Sequence, residues 1–358
     1  MKGGLIEEVR RAAGPAPDVT VVPGFIDLQV NGVDDIDVAV ASVDQLDALA
    51  AKLARLGVTS WCPTLTSAPL GDLESAVGRI AAARDLERAE EASPRARIAG
   101  VHLEGPFITV PGAHPLSAIS ASLDLGWLER ITEAHEGIVR IVTLAPELDG
   151  ALEAISSLTR HGVVVALGHS ACSFEQAGSA ADAGARLVTH LGNAMGSLTA
   201  RAPGLLGAAL ADDRLYASVI ADLVHLHRGF MGLAWKAKGA ERMLLVTDSV
   251  AVLAGHAGPI ELAEQAVAHE GPARLADGTL AGATTGMAEA IQHLVRDVGI
   301  RSEDALRAAT ALPGSLLGLD DRGRLEPGAL ADIVVLDADY RVCGVWIGGV
   351  PVSGARHS

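Results

Sequence analysis

Apolar residues in this chain gather into eight short, nearly continuous runs separated by amphipathic stretches. The runs are Phe25–Val30, Val58–Thr64, Ile98–Glu104, Ile138–Leu144, Val163–His169, Ala185–His190, Leu215–Asp222 and Arg242–Asp248. Continuous rather than alternating apolarity predicts strands buried on both faces. The intervening stretches carry a helical period. In Val43–Leu56, Leu46, Leu49, Ala50, Leu53 and Leu56 share one face, Asp44 sits near the start and Gly57 follows the end. Ser173–Ala183 repeats the design, with Ser173 as N-cap and Gly184 as stop. Gly286–Ala311 reads as two further helices. Strand alternating with helix implies parallel strands joined by right-handed crossovers, and eight such units predict a TIM-type (β/α)8 barrel.

The pattern changes after the barrel. Gly323–Asp337 and Val342–Val352 are short strand-like pieces broken by Gly and Pro, which predicts antiparallel pairing. Thr20–Val22, and possible strand residues Leu5–Val9, are available to pair with them. The expectation is an α/β protein with a barrel over residues 23–317 and a small β-sandwich domain formed from both chain termini, 1–22 and 318–358.

Composition narrows the function classes. Of 358 residues, 49% are hydrophobic and 20% charged, which is globular. A net charge of -16 argues against a nucleic-acid surface and requires any anionic substrate to find a local cationic pocket. Cys62, Cys172 and Cys343 form no CxxC pair, which fits a reducing compartment. No apolar run matches a membrane span, and the first residues lack the apolar core of a signal peptide. The expectation is a cytoplasmic protein with no membrane or nucleic-acid partner.

Chemistry enters at the strand ends. Glu104, His169, His190 and Asp248 each close a separate apolar run. Side chains at the C-terminal ends of barrel strands converge on one mouth, where barrels of this kind do their chemistry. One carboxylate and two imidazoles suit a single divalent metal, Zn²⁺ or Fe²⁺, with a position left for water. A further carboxylate, Asp248, provides the general base such a site needs. His102 shares strand parity with Glu104, which places it behind that carboxylate as a supporting group.

The motifs Pro23-Gly-Phe-Ile-Asp-Leu-Gln-Val-Asn-Gly32, His102-Leu-Glu-Gly-Pro-Phe107, Gly168-His-Ser170, Thr189-His-Leu-Gly-Asn-Ala-Met195 and Val246-Thr-Asp248 together resemble the N-acetylglucosamine-6-phosphate deacetylases of the amidohydrolase superfamily. The resemblance runs from about Val21 to about Val352. Where many superfamily members carry His-x-His at the end of the first strand, this chain has Gln29-Val-Asn31, like the single-metal deacetylases. The four lysines, Lys2, Lys52, Lys236 and Lys238, lie on no barrel strand end, which disfavours the binuclear relatives that use a carbamylated lysine.

The resemblance implies Glu104, His169 and His190 as ligands of one metal per subunit, and Asp248 as the acid/base. It implies substrate contacts from Ala113, His114, Asn193, Ala194, His225 and the loop Leu280, Ala281 and Gly282, with Arg201 binding phosphate. His114 would also steady the developing oxyanion. A homodimer acting on a small amino-sugar phosphate follows, with acetate as a product. Three departures touch the pocket: Thr109-Val110-Pro111 stands where relatives have basic residues, Gly192 replaces an aromatic, and Gly196-Ser-Leu198 follows Asn-Ala-Met where relatives have a proline and bulky residues. They leave open another N-acetylhexosamine or N-acyl substrate, or a non-catalytic sugar-phosphate sensor; retention of Asp248 argues against the sensor.

Overall fold

The computed structural model describes residues 3–10, 18–89, 94–251, 260–262, 265–267 and 272–354. Eight parallel strands follow one another in chain order around a barrel: Phe25–Val30, Val58–Leu65, Val101–Glu104, Val139–Leu144, Val164–Leu167, Leu187–Val188, Tyr216–Ile220 and Met243–Val246. The last returns to the first. The Asp248 amide donates to the Gln29 carbonyl at 3.0 Å, and Val30 bridges Ser249 in parallel. Ile26, Leu28, Cys62, Ile141, Ala166, Leu187, Ile220 and Leu244 pack together as one buried cluster, and a larger core joins the strands to the surrounding helices. Burial on both faces is why the strands read as unbroken apolar runs.

Helix signals in the sequence appear as actual caps. Ser42 caps Val43–Arg55 and Ser173 caps Phe174–Ala183, each completing a capping box with a glutamine, Gln45 or Gln176. Beyond the barrel come Met287–His293, which runs into the π-helical turn Leu294–Val298, then Ser302–Ala308 and Ala311–Leu317.

The chain ends meet in a separate four-stranded antiparallel sheet. Val19–Pro23 pairs with Ile333–Asp337, which pairs with Val342–Ile347 and then Val350–Pro351. Leu5 joins this region by a single bridge to Leu330, and Leu5–Val9 does not form the longer strand expected of it.

Four predicted strands run too far at the C-terminal end, and by the same amount. The strand stops two residues before His169, His190, Asp222 and Asp248, at Leu167, Val188, Ile220 and Val246. Three of these four residues have turned into the left-handed backbone region, His169 at φ 48°, His190 at 31° and Asp248 at 52°. A strand ladder cannot continue through that conformation.

Candidate active site

Glu104 ends its strand within the ladder, and the two histidines bend over it from theirs. Glu104 Oε1 lies 3.1 Å from His169 Nε2 and 2.8 Å from His190 Nε2, with the two Nε2 atoms 3.1 Å apart. One ligand atom from each residue falls within 4.8 Å of the others, and all three side chains are buried. Burial pushes the Glu104 carboxyl upward, but the two imidazoles overcome it and hold the group well below the usual carboxylate range. His169 Nδ1 sits 2.8 Å from the Val110 carbonyl. A carbonyl only accepts, so Nδ1 carries the proton and Nε2 keeps a lone pair facing Glu104. The donor set and tautomer fit a small divalent cation.

Asp248 faces the same space. Burial, and then the Glu104 charge, raise its carboxyl to about 6. Asn31 Nδ2 donates to Asp248 Oδ1 at 2.8 Å, so the residue in place of a first-strand histidine holds the acid instead. Gln29 contributes its carbonyl to the Asp248 amide, while its side chain is buried outside the cavity lining. His102 is buried two residues before Glu104, but its ring bonds elsewhere. Its Nδ1 donates to the Leu28 carbonyl at 3.0 Å, so its Nε2 accepts from the Thr143 hydroxyl at 2.7 Å, which in turn accepts from Thr189 at 2.8 Å.

Glu104, His169, His190, Asp248 and Asn31 open into a cavity of about 360 Å³. Of the residues expected to touch substrate, Ala113, His114, Asn193, Ala194, His225, Leu280 and Gly282 line it. Ala281 does not; it is fully buried behind the wall with Val250, Ala251 and Ala273. Arg201 does not either, and its side chain is exposed on the loop between His190 and the helix Gly204–Ala211.

Two further lining histidines, His114 and His225, are held by polar partners. The Ser67 backbone N–H donates to His114 Nδ1 at 3.1 Å, with the Ser67 hydroxyl 2.7 Å from the same atom. His114 is therefore a neutral ring with its proton on Nε2, and burial beside His169 lowers its pKa to about 3. His225 Nδ1 lies 2.6 Å from Asp222 Oδ2, and the Val224 and His225 amides donate to Asp222 Oδ1, so the carboxylate that orients the ring is itself held in place.

Sequence reading missed Ser67, Thr279 and Arg274. Ser67 lies two residues past the second strand, where the same strand-end logic applied. Arg274 and Thr279 lie on a hairpin after Asp248, just before Leu280–Gly282, the part of it that the resemblance did single out.

A parallel eight-stranded barrel with a buried carboxylate–imidazole cluster and a further buried aspartate at one mouth is the architecture of a metal-assisted hydrolase. Residues 20–352 match the model of the amidohydrolase family. The chain is 38% identical to the N-acetylgalactosamine-6-phosphate deacetylase of Escherichia coli O157:H7 over 91% of its own length and 86% of that protein's. It is 37% identical to the N-acetylglucosamine-6-phosphate deacetylase of Bos taurus, covering 96% and 87% of the two chains. Among solved structures it is similar to an aspartate-to-alanine variant of the N-acetyl-D-glucosamine-6-phosphate deacetylase of Mycobacterium smegmatis in complex with N-acetyl-D-glucosamine-6-phosphate. The TM-score is 0.90 at 34% identity, over 98% of this chain and 93% of that one. The enzyme of the same name from Thermotoga maritima gives a TM-score of 0.89 at 30% identity, over 98% and 93%. The chain belongs to the amidohydrolase family and, within it, to the group of the N-acetylglucosamine-6-phosphate deacetylases.

Proposed function

We propose that this chain hydrolyses the acetamido group of N-acetylglucosamine 6-phosphate, releasing acetate and glucosamine 6-phosphate. The observation that carries the reading is the convergence of Glu104, His169 and His190 within 4.8 Å, in the same cavity as Asp248. The three residues would hold one divalent ion per subunit, Zn²⁺ or Fe²⁺. Bound there, such an ion lowers the pKa of water and polarises an amide carbonyl.

The protein's own groups supply the rest. Asp248, raised toward 6, accepts the proton of the attacking water and returns it to the leaving nitrogen. His114 presents a fixed Nε2–H, a neutral donor suited to the oxygen on which negative charge develops. Asn193, Ala194, Leu280 and Gly282 form the walls for the sugar, and His225, locked by Asp222, offers its Nε2 to it. In this reading the protein works in the cytoplasm as a homodimer, with residues 1–22 and 318–358 forming a β domain that supports the barrel. Arg201, exposed and outside the cavity lining, is the residue a second subunit or a loop closure would have to bring to the phosphate. No helix among the described residues is long and apolar enough to cross a membrane. A second reading, the galactosamine epimer, is favoured by the 38% identity to the Escherichia coli O157:H7 protein.

Acetate release from both 6-phosphates, with and without chelator and alongside metal content, tests this. Chelator-sensitive release with about one metal per chain is the expected result, and the better epimer decides between the readings. No release from metal-loaded folded protein overturns the proposal.

A further inference from the structure

The proton on His169 Nδ1 is set by a backbone carbonyl, that of Val110, 2.8 Å away. No side chain at position 110 can move that oxygen; only the path of the loop can. The loop is bound back to the same histidine, because the Thr109 and Val110 amides both donate to the His169 carbonyl at 2.9 Å. It then crosses the imidazole, where a Cβ on Gly112 would stand 3.1 Å from His169 Cε1. Beyond that point it delivers Ala113 and His114 to the cavity, with the His114 and His169 ring centroids 4.3 Å apart. His169 itself has left-handed backbone, a conformation that persists only where its surroundings enforce it.

Glu147 supplies that enforcement from a third segment, three residues beyond the strand Val139–Leu144. Its Oε1 accepts the Thr109 hydroxyl and also the Ala171 amide, the latter at 2.9 Å. Its Oε2 accepts the Ser170 hydroxyl at 2.6 Å. Ser170 is fully buried, and its oxygen in turn accepts the Cys172 amide at 3.1 Å. One carboxylate thus joins the residue that opens the loop to the two residues that follow His169. All three donors are neutral, and each belongs to a segment that reaches the site. A charged acceptor holds such donors more strongly than an amide or hydroxyl oxygen would.

We propose that Glu147 is a positioning residue that sets the metal ligand His169 and the loop bearing His114 as a single unit. Its effect passes to the imidazole through the Val110 carbonyl and to His114 along the loop. This rests on the deacetylase reading above.

The test compares wild type with Glu147→Ala, Glu147→Gln, Thr109→Val and Ser170→Ala. Zn²⁺ affinity is measured by competition with a chromophoric chelator, which needs no turnover. KM and kcat on N-acetylglucosamine 6-phosphate are measured at saturating Zn²⁺, and Tm is recorded for each variant. Glu147→Ala should weaken Zn²⁺ binding about tenfold or more, the cost of losing outer support for a ligating histidine. Its kcat should fall about tenfold with KM within about threefold, because His114 is aimed at charge that develops during the reaction. Glu147→Gln keeps one acceptor oxygen and should recover part of both losses. Thr109→Val and Ser170→Ala should each show a smaller loss of the same kind, and combined no more than Glu147→Ala. An unchanged Zn²⁺ affinity or an unchanged kcat in Glu147→Ala, whatever its Tm, overturns the proposal and leaves Glu147 a brace of the barrel rim. Should Glu147→Ala not fold, the same result in Thr109→Val and Ser170→Ala overturns it. A wild type that binds Zn²⁺ and releases no acetate sinks the deacetylase reading alone, and the affinity series still decides the hold of Glu147 on His169.

Discussion

The two halves of the cavity are built in opposite ways. On one side stand Glu104, His169, His190 and Asp248, all buried and each held by a strand end. Their partners come from distant parts of the chain: Val110 for His169, Asn31 for Asp248, and Ser67 for the neighbouring His114. On the other side the hairpin carries Arg274, Thr279 and Leu280, partly or fully exposed and bonded mainly to itself. The first half is over-determined, so its groups hold position to within small tolerances; the second can change its side chains at little cost to the fold. The proposed reaction chemistry sits where the barrel fixes geometry, and the hairpin side of the cavity sits where the sequence can vary.

Breaking the rigid half should cost most. Asp248→Asn keeps the shape but removes the proton acceptor, and kcat should fall about 10²- to 10⁴-fold with metal content retained. Near-wild-type turnover would remove Asp248 from the mechanism. The next effect concerns how that acid is held. Asn31→Ala deletes the 2.8 Å donor to Asp248 Oδ1 while touching no ligand of the proposed metal. Without that donor, which favours the ionised form, the Asp248 pKa should rise further, so the acidic limb of the kcat/KM profile should move to higher pH and kcat should drop about tenfold. A profile that superimposes on wild type would show that Asn31 is only packing.

The smallest expected effect lies beneath the mouth, at the barrel seam. Asp27 is fully buried and accepts the Thr247 hydroxyl and amide, yet burial raises its carboxyl to about 7 from an ordinary 3.8. The folded state thus binds this proton more tightly than the unfolded chain. Its stabilising contribution is complete below about pH 4 and is lost as pH rises toward 7. Asp27→Asn should flatten that part of the Tm-against-pH curve by a few degrees. An unaltered slope would mean that Asp27 titrates at an ordinary pKa.

The same contrast separates what the sequence disclosed from what it hid. Eight strands were legible because burial on both faces leaves an unbroken apolar run, and the convergence of Glu104, His169 and His190 was legible because each closes such a run. The exact strand ends were not, since no residue type announces that His169, His190 or Asp248 will adopt a positive φ. Ser67 was hidden because it acts partly through its backbone N–H, which every residue but proline possesses. Arg274 was hidden because a cavity-edge arginine and a surface arginine look alike until a hairpin aims one of them inward, as the differing positions of Arg274 and Arg201 demonstrate.

The left-handed backbone at His169, His190 and Asp248 carries an evolutionary consequence. Asn or Gly would sit more comfortably in each of these conformations, so the residues proposed to do the chemistry are also among the least relaxed in the barrel. Drift toward a more durable protein therefore has an open path through the loss of its own reaction, and only selection on turnover keeps that path closed.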